Sequence, residues 1–114
     1  MTKNKELARR LSKALLSEVP KDKNTLFAVL ELLETLSNLY KKEKELRDFL
    51  LNPLVPSERK LSYLRALREK MGISGEIDKF FSYLIELNAF PLVSEIKRLY
   101  AHELDKILRF SKAT

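Results

Sequence analysis

Few residues in this chain of 114 could carry out chemistry. There is no Cys, so there is no thiolate nucleophile, no disulfide framework and no Cys-based zinc or iron–sulfur site. The one histidine, His102, cannot make a multi-His metal site. It falls about 100° beyond the apolar stripe of its helix, with Glu95 and Glu103 nearby in sequence, which is the place of a solvated surface histidine. Glu31 and Glu34 are three residues apart and share a helix edge. Paired carboxylates work as acid and base only in a cleft that drives their pKa values apart. These two instead form the water edge of an apolar helix. Two glycines cannot build a P-loop or a dinucleotide phosphate turn. No catalytic residue, metal or cofactor is expected, and the residue types point to a helical binding module.

Charge is the next feature with chemical content. Lys and Arg number 22 against 16 Asp and Glu, a net charge of +6. The excess gathers weakly in two stretches. Residues 1–13 hold Lys3, Lys5, Arg9, Arg10 and Lys13 against Glu6, and residues 58–70 hold Arg59, Lys60, Arg65, Arg68 and Lys70 against Glu58 and Glu69. A basic chain can meet nucleic acid or an anionic surface. Base stacking needs exposed aromatics on a platform beside such residues. Phe27, Tyr63 and Tyr83 are the aromatics off the main apolar stripes, and they are scattered. The charge therefore reads as a solvated surface with a mild basic bias. No apolar run reaches the roughly 18 residues of a membrane span, and the best, 26–36, is interrupted by Glu31 and Glu34. The N-terminus lacks the apolar core of a signal peptide. The mature chain is expected to be soluble and cytoplasmic.

These residues must be positioned by helices, because apolar spacing follows the helical period between Pro and Gly marks. Six helices are expected, forming an all-α, compact six-helix bundle over residues 1–110 with a frayed tail at 111–114. The first runs from Lys5 to Glu18, with Leu7, Leu11, Ala14 and Leu15 in its stripe. The second, Asn24 to Lys42, carries apolar residues over about 200° of its wheel, and a helix this apolar belongs at the centre of a bundle. The third spans Lys44 to Leu51. Two prolines then make residues 52–56 extended. Ser57 is placed to cap the fourth helix, whose inward residues are Leu61, Leu64, Leu67 and Met71, and Gly72 to end it. Ser74 can cap the fifth, Gly75 to Asn88. Pro91 suits the first turn of the sixth, 91–110.

Helices two and five are both wide-faced. Either both are buried internally, or one face receives an amphipathic helix from another protein.

Three runs resemble a known family. Leu7-Ala8-Arg9-Arg10-Leu11-Ser12-Lys13-Ala14-Leu15-Leu16 is similar to the opening helix of the delta subunit of F-type ATP synthases, whose mitochondrial counterpart is the oligomycin-sensitivity-conferring protein. That family opens A-R-x-Y-A-x-A-L-F. The run Leu46 to Pro56 resembles its short third helix and S-P-L-I link. Glu86 to Ile96 is similar to its E-N-G-R-L-x-x-L-P-E-I stretch. Order and spacing agree over about 105 residues. Leu11 stands where the family has an aromatic, and Leu87-Asn88-Ala89 replaces its N-G-R turn.

The resemblance implies a non-catalytic peripheral-stalk, or stator, subunit of the proton-translocating ATP synthase. Its six-helix N-terminal domain binds the N-terminal helix of an alpha subunit in a groove between helices one and five. Carried over by position, Leu11 and Ala14 line one side of that groove and Tyr83 the other. The helical wheel adds Leu7, Leu15, Phe80 and Leu87. The resemblance also implies stalk b subunits as partners of a C-terminal region that this chain lacks, so the chain is expected to be the N-terminal domain alone. No nucleic acid is implied. Contact with the membrane, at the cytoplasmic face of the bacterial inner membrane, is indirect. The other reading of the same composition is a basic all-α RNA-binding module of the antiterminator type.

Overall fold

A computed structural model describes the backbone of residues 2–113 and the side chains of residues 4–109. Six α-helices follow in order: α1 (Thr2–Glu18), α2 (Lys23–Lys42), α3 (Lys44–Leu51), α4 (Ser57–Lys70), α5 (Asp78–Glu86) and α6 (Val93–Ala113). Short 3-10 turns, Gly75–Ile77 and Phe90–Leu92, lead into α5 and α6. The expected six-helix, all-α architecture is present, with no strand among the described residues. α6 continues to Ala113, beyond the expected end at 110, because no Gly or Pro stops it. Thr114 lies outside the described residues.

Local chemistry explains the boundaries. Asp22 has extended backbone before α2, and its carboxylate accepts from the Thr25 amide at 3.1 Å and the Thr25 hydroxyl at 2.9 Å. At the other end of α2, Arg47 donates to the carbonyls of Tyr40 and Lys41, both at 2.8 Å. These are helix-end acceptors with no partner of their own in the helix. The link to α4 is stiffened by Asn52, whose side-chain oxygen accepts from the Leu54 amide at 2.9 Å. Ser57 does not cap α4. Pro56, at φ −59° and ψ 144°, holds the cap position, and Ser57 is already the first helical residue. Proline's fixed φ suits the extended residue before the helix. Ser74 occupies the cap position before Gly75–Ile77 with extended backbone, but its hydroxyl bonds the Glu76 carboxylate and makes no cap bond.

Two helices end in the same motif. After α4, Gly72 takes φ +74°, its amide bonds the Glu69 carbonyl, and the Ile73 amide bonds the Arg68 carbonyl, each at 3.1 Å. After α5, Asn88 takes φ +52°, its amide bonds the Ile85 carbonyl at 3.2 Å, and the Ala89 amide bonds the Leu84 carbonyl at 2.9 Å. Both are six-to-one and five-to-two closures around a left-handed residue. The expected helix to Asn88 therefore stops at Glu86.

α6 is the axis of the bundle, a place the apolar width of α2 had suggested for that helix. It packs on α1 with one flank and on α2 with the other. Tyr100 is fully buried, and its hydroxyl donates to the Leu26 carbonyl of α2 at 2.8 Å. The hydroxyls of Ser37 and Ser94 meet at 2.6 Å across the same interface. α2 keeps an open outer face with exposed Phe27, Glu31, Glu34 and Asn38.

The inward row of α4 differs from expectation in its chemistry. Leu64 is buried, but Leu61, Leu67 and Met71 are half-buried, while Lys60 and Arg68 are buried. Residues 60, 64 and 68 are successive steps of four and lie on one row. The aliphatic stems of the two cations pack there as apolar matter. Arg68 reaches a polar knot at the start of α5. It donates to the Ile73 carbonyl at 2.7 Å, and its Nε lies 2.8 Å from Asp78 Oδ1. That close approach is an ion pair whose angle does not make a hydrogen bond. Arg65 joins from outside, its Nε 3.2 Å from Asp78 Oδ2. The basic stretch 58–70 is thus partly interior.

These contacts carry expected magnitudes. Arg68→Ala leaves Asp78 half-covered and the Ile73 carbonyl without its guanidinium. Chemical denaturation should show a loss of about 3–5 kcal/mol, against less than about 1 kcal/mol for Arg65→Ala at the exposed edge. Asn88→Ala should cost about 1 kcal/mol because alanine resists the left-handed region, whereas Asn88→Gly should match or exceed wild type. Burial pushes the Tyr100 phenol well above its usual 10.0. The folded state therefore holds that proton more tightly than the unfolded chain. Its contribution is complete below pH 10 and is lost as the pH rises above it. Stability measured against pH should fall above 10, and less steeply in Tyr100→Phe. That variant should itself be weaker by about 1 kcal/mol at neutral pH.

Candidate functional site

Ala8, Leu11, Ser12 and Leu15 are the buried stripe of α1. Arg98 hydrogen-bonds to Glu95 at 3.2 Å and holds its carboxyl below the usual carboxylate range, and the field of Lys5 adds to this. On the wheel Lys5 lies at one edge of the buried stripe. Counting about 100° per residue, Leu7 and Ala14 lie on the opposite flank. α1 touches α6, α5 and the Gly75–Ile77 turn.

Ile77, Phe80, Phe81 and Leu84 face inward. Asp78, paired with Arg68 and Arg65, marks the flank of α5 that turns to α4. Tyr83 and Leu87 fall on the other flank. The helical wheels thus put Leu7 and Ala14 on one edge of α1 and Tyr83 and Leu87 on one edge of α5, and the two helices touch.

The seven residues expected at this site divide into two layers. Leu11, Leu15 and Phe80 are buried at 4%, 0% and 1% exposure, so they belong to the core and offer no contact surface. Leu7, Ala14 and Tyr83 are half-buried, and Leu87 is 50% exposed. These four keep surface that a partner can reach. The width of α5 is therefore mostly internal burial, with Tyr83 and Leu87 outside it. Sequence reasoning overlooked one more residue of this edge of α1, Glu18, which continues the spacing of Leu7, Leu11 and Ala14.

Other candidates take different places. Phe27 is 43% exposed on the outer face of α2, beside Glu31 and Glu34, over a depression of about 300 Å³. Tyr63 packs edge-on against Phe49, centroids 6.3 Å apart. It also lines a depression of about 540 Å³ with Leu39, Ala66 and Leu67. Phe27, Tyr63 and Tyr83 thus lie on three helices. His102 is exposed. Among the described residues no group of His, Asp and Glu could hold a metal ion, and no helix is long and apolar enough to cross a membrane. Ion pairs between Arg98 and Glu95, Lys106 and Glu103, and Arg109 and Asp105 occupy cations along α6.

The family described as ATP synthase delta (OSCP) subunit matches residues 7–114. The ATP synthase subunit delta of Hydrogenobaculum sp. (strain Y04AAS1) is 48% identical over 112 residues, which is 98% of this chain and 62% of that protein. That of Aquifex aeolicus (strain VF5) is 41% identical over 112 residues, with the same coverage. That of Persephonella marina (strain DSM 14350 / EX-H1) is 31% identical over 103 residues, 90% of this chain and 57% of that protein. No solved structure matches. The chain spans about three-fifths of the length of these curated relatives. It belongs to the ATP synthase delta (OSCP) subunit family.

Proposed function

We propose that this chain is a non-catalytic stator part that grips the catalytic head of the ATP synthase. It does so by receiving the N-terminal amphipathic helix of one alpha subunit in the groove between α1 and α5. What supports this reading is that Leu7, Ala14, Tyr83 and Leu87 keep exposed surface beside the buried Leu11, Leu15 and Phe80 on two helices that touch. An amphipathic helix presents anchors at steps of three and four, and a groove of this kind takes such a stripe. Ala14 leaves room for the partner backbone to approach closely at mid-groove. The stalk b subunits belong, in this reading, to the part of the longer relatives that this chain does not span. The site of action is peripheral, at the cytoplasmic face of the membrane, and is reached through the complex.

The role is mechanical. Rotation of the central shaft turns the head unless something holds it, so the link must survive load. A nanomolar contact corresponds to about 12 kcal/mol. Much of that would sit in a few central anchors, each worth about 2 kcal/mol or more on truncation.

Calorimetry and line broadening with a synthetic peptide of the first 20 or so residues of the same organism's alpha subunit test the reading. One-to-one binding is expected. Ala14→Asp places a charge at the edge of α1 and not in the core. It should weaken binding by about thirtyfold or more, the equivalent of one central anchor, while the helical circular dichroism stays unchanged. A wild-type titration with no heat and no broadening overturns the proposal.

A further inference from the structure

We infer that Glu18 is a polar anchor at one end of this groove, and that the helix received there carries a lysine or arginine opposite it. The inference rests on the helix-binding reading of the groove. Leu7, Leu11, Ala14 and Glu18 are spaced by four, three and four, so they share one flank of α1. Three are apolar, and the fourth ends the row with a carboxylate.

Among the described residues nothing pairs with one oxygen of that carboxylate. Its Oε1 is buried and has no hydrogen-bond partner. The nearest cation in sequence, Lys21, donates its ammonium to the Leu16 carbonyl at 2.5 Å. No ion pair among the described residues includes Glu18. Glu18 is also the last residue of α1, where the negative end of the helix dipole opposes a carboxylate. Buried acceptors in folded proteins are nearly always paired, and an unpaired one is costly. Fold stability thus gives no reason for glutamate at this position. A partner cation supplies both a donor and the opposite charge, and charge-assisted bonds of this kind are strong and directional. The anchor also fixes register, because an apolar stripe alone can slide along the groove by a turn, and one ion pair cannot.

The test uses Glu18→Gln and Glu18→Leu with the alpha-subunit peptide and with versions of it in which each Lys or Arg is replaced singly by Gln. Glu18→Gln should weaken binding of the native peptide about tenfold. One peptide substitution should weaken wild-type binding to a similar degree, and combining the two should add little. Glu18→Leu should raise the thermal midpoint of the free chain while weakening the peptide. A lowered midpoint in Glu18→Leu would show that the carboxylate serves the fold, and would overturn the inference. Native affinity in both variants would overturn it too. If Ala14→Asp blocks the peptide and the Glu18 variants do not, the groove stands and the anchor falls. If wild type binds no peptide, both fall.

Discussion

Tyr100 holds α6 against α2 through one buried hydrogen bond to the Leu26 carbonyl, and the rest of the surface follows from that placement. A phenol in this position cannot be left without a partner, so α6 is locked in rotation as well as in distance. Locking one flank of α6 on α2 turns its other flank to α1. α1 then has a face committed to α6, and Leu7 and Ala14 at its edge keep exposed surface. At the other side of the bundle Asp78 commits one flank of α5 to α4. The proposed groove is made of the two flanks these pairings leave over. It is a consequence of pairings made elsewhere, which is why its residues, Glu18 apart, do not stand out chemically.

That origin gives the groove a stiff base. Leu11, Leu15 and Phe80 lie beside it at interior density, each in contact with the same core as α6. Interiors packed like this do not deform gradually, so the helix edges beside them hold a fixed separation. The corner that carries α5 is fixed by the Arg68 knot on one side and the Asn88 closure on the other. Both corners are built from hydrogen bonds that close helix ends, so α5 cannot swing out without exposing unpaired carbonyls.

Much of this was legible in the sequence, and the exceptions have a common cause. The helical period marked six helices, and Pro53, Pro56 and Gly72 marked their corners, because these are backbone effects of local sequence. The wheel of α4 also found the right arc. What it missed was that Lys60 and Arg68 lie within that arc, since a charge on a wheel is read as solvent-facing. Only the position of Asp78, ten residues on, makes Arg68 an interior residue. Ser57 and Ser74 show a related error: the residue type suits a cap, but the neighbouring backbone gave that work to Pro56 or left it undone. For the site, the seven groove residues were read as one set because a wheel shows direction and not depth. Depth depends on how far α1 and α5 approach, which is set by α6 and α4. Glu18 went unremarked for the opposite reason, since an acid at a helix end looks like surface until its oxygen is found buried.

A groove between the open edges of α1 and α5, as proposed, must work with limited area, which bears on how a load-bearing contact could be built. A short amphipathic helix is only marginally helical in water, so binding must order it as well as hold it. The receiving side adds little to that cost, because its core is closed and its corners are fixed before the partner arrives. Only Leu7, Tyr83, Leu87 and Glu18 have side chains left to order. Resistance to pulling is a matter of dissociation rate, and among related contacts affinity is tuned mostly there. A rigid receiver raises that barrier, since the partner helix cannot leave by stages through a deforming groove. The composition that first excluded catalysis fits this requirement. Two glycines and no loop longer than a few residues between helices suit a part that must not yield. In the proposed role, the absence of reactive residues and the stiffness of the bundle are one design: the chain transmits force, its buried hydrogen bonds lock α6 on α2 and close the end of α4, and Glu18 waits for the partner.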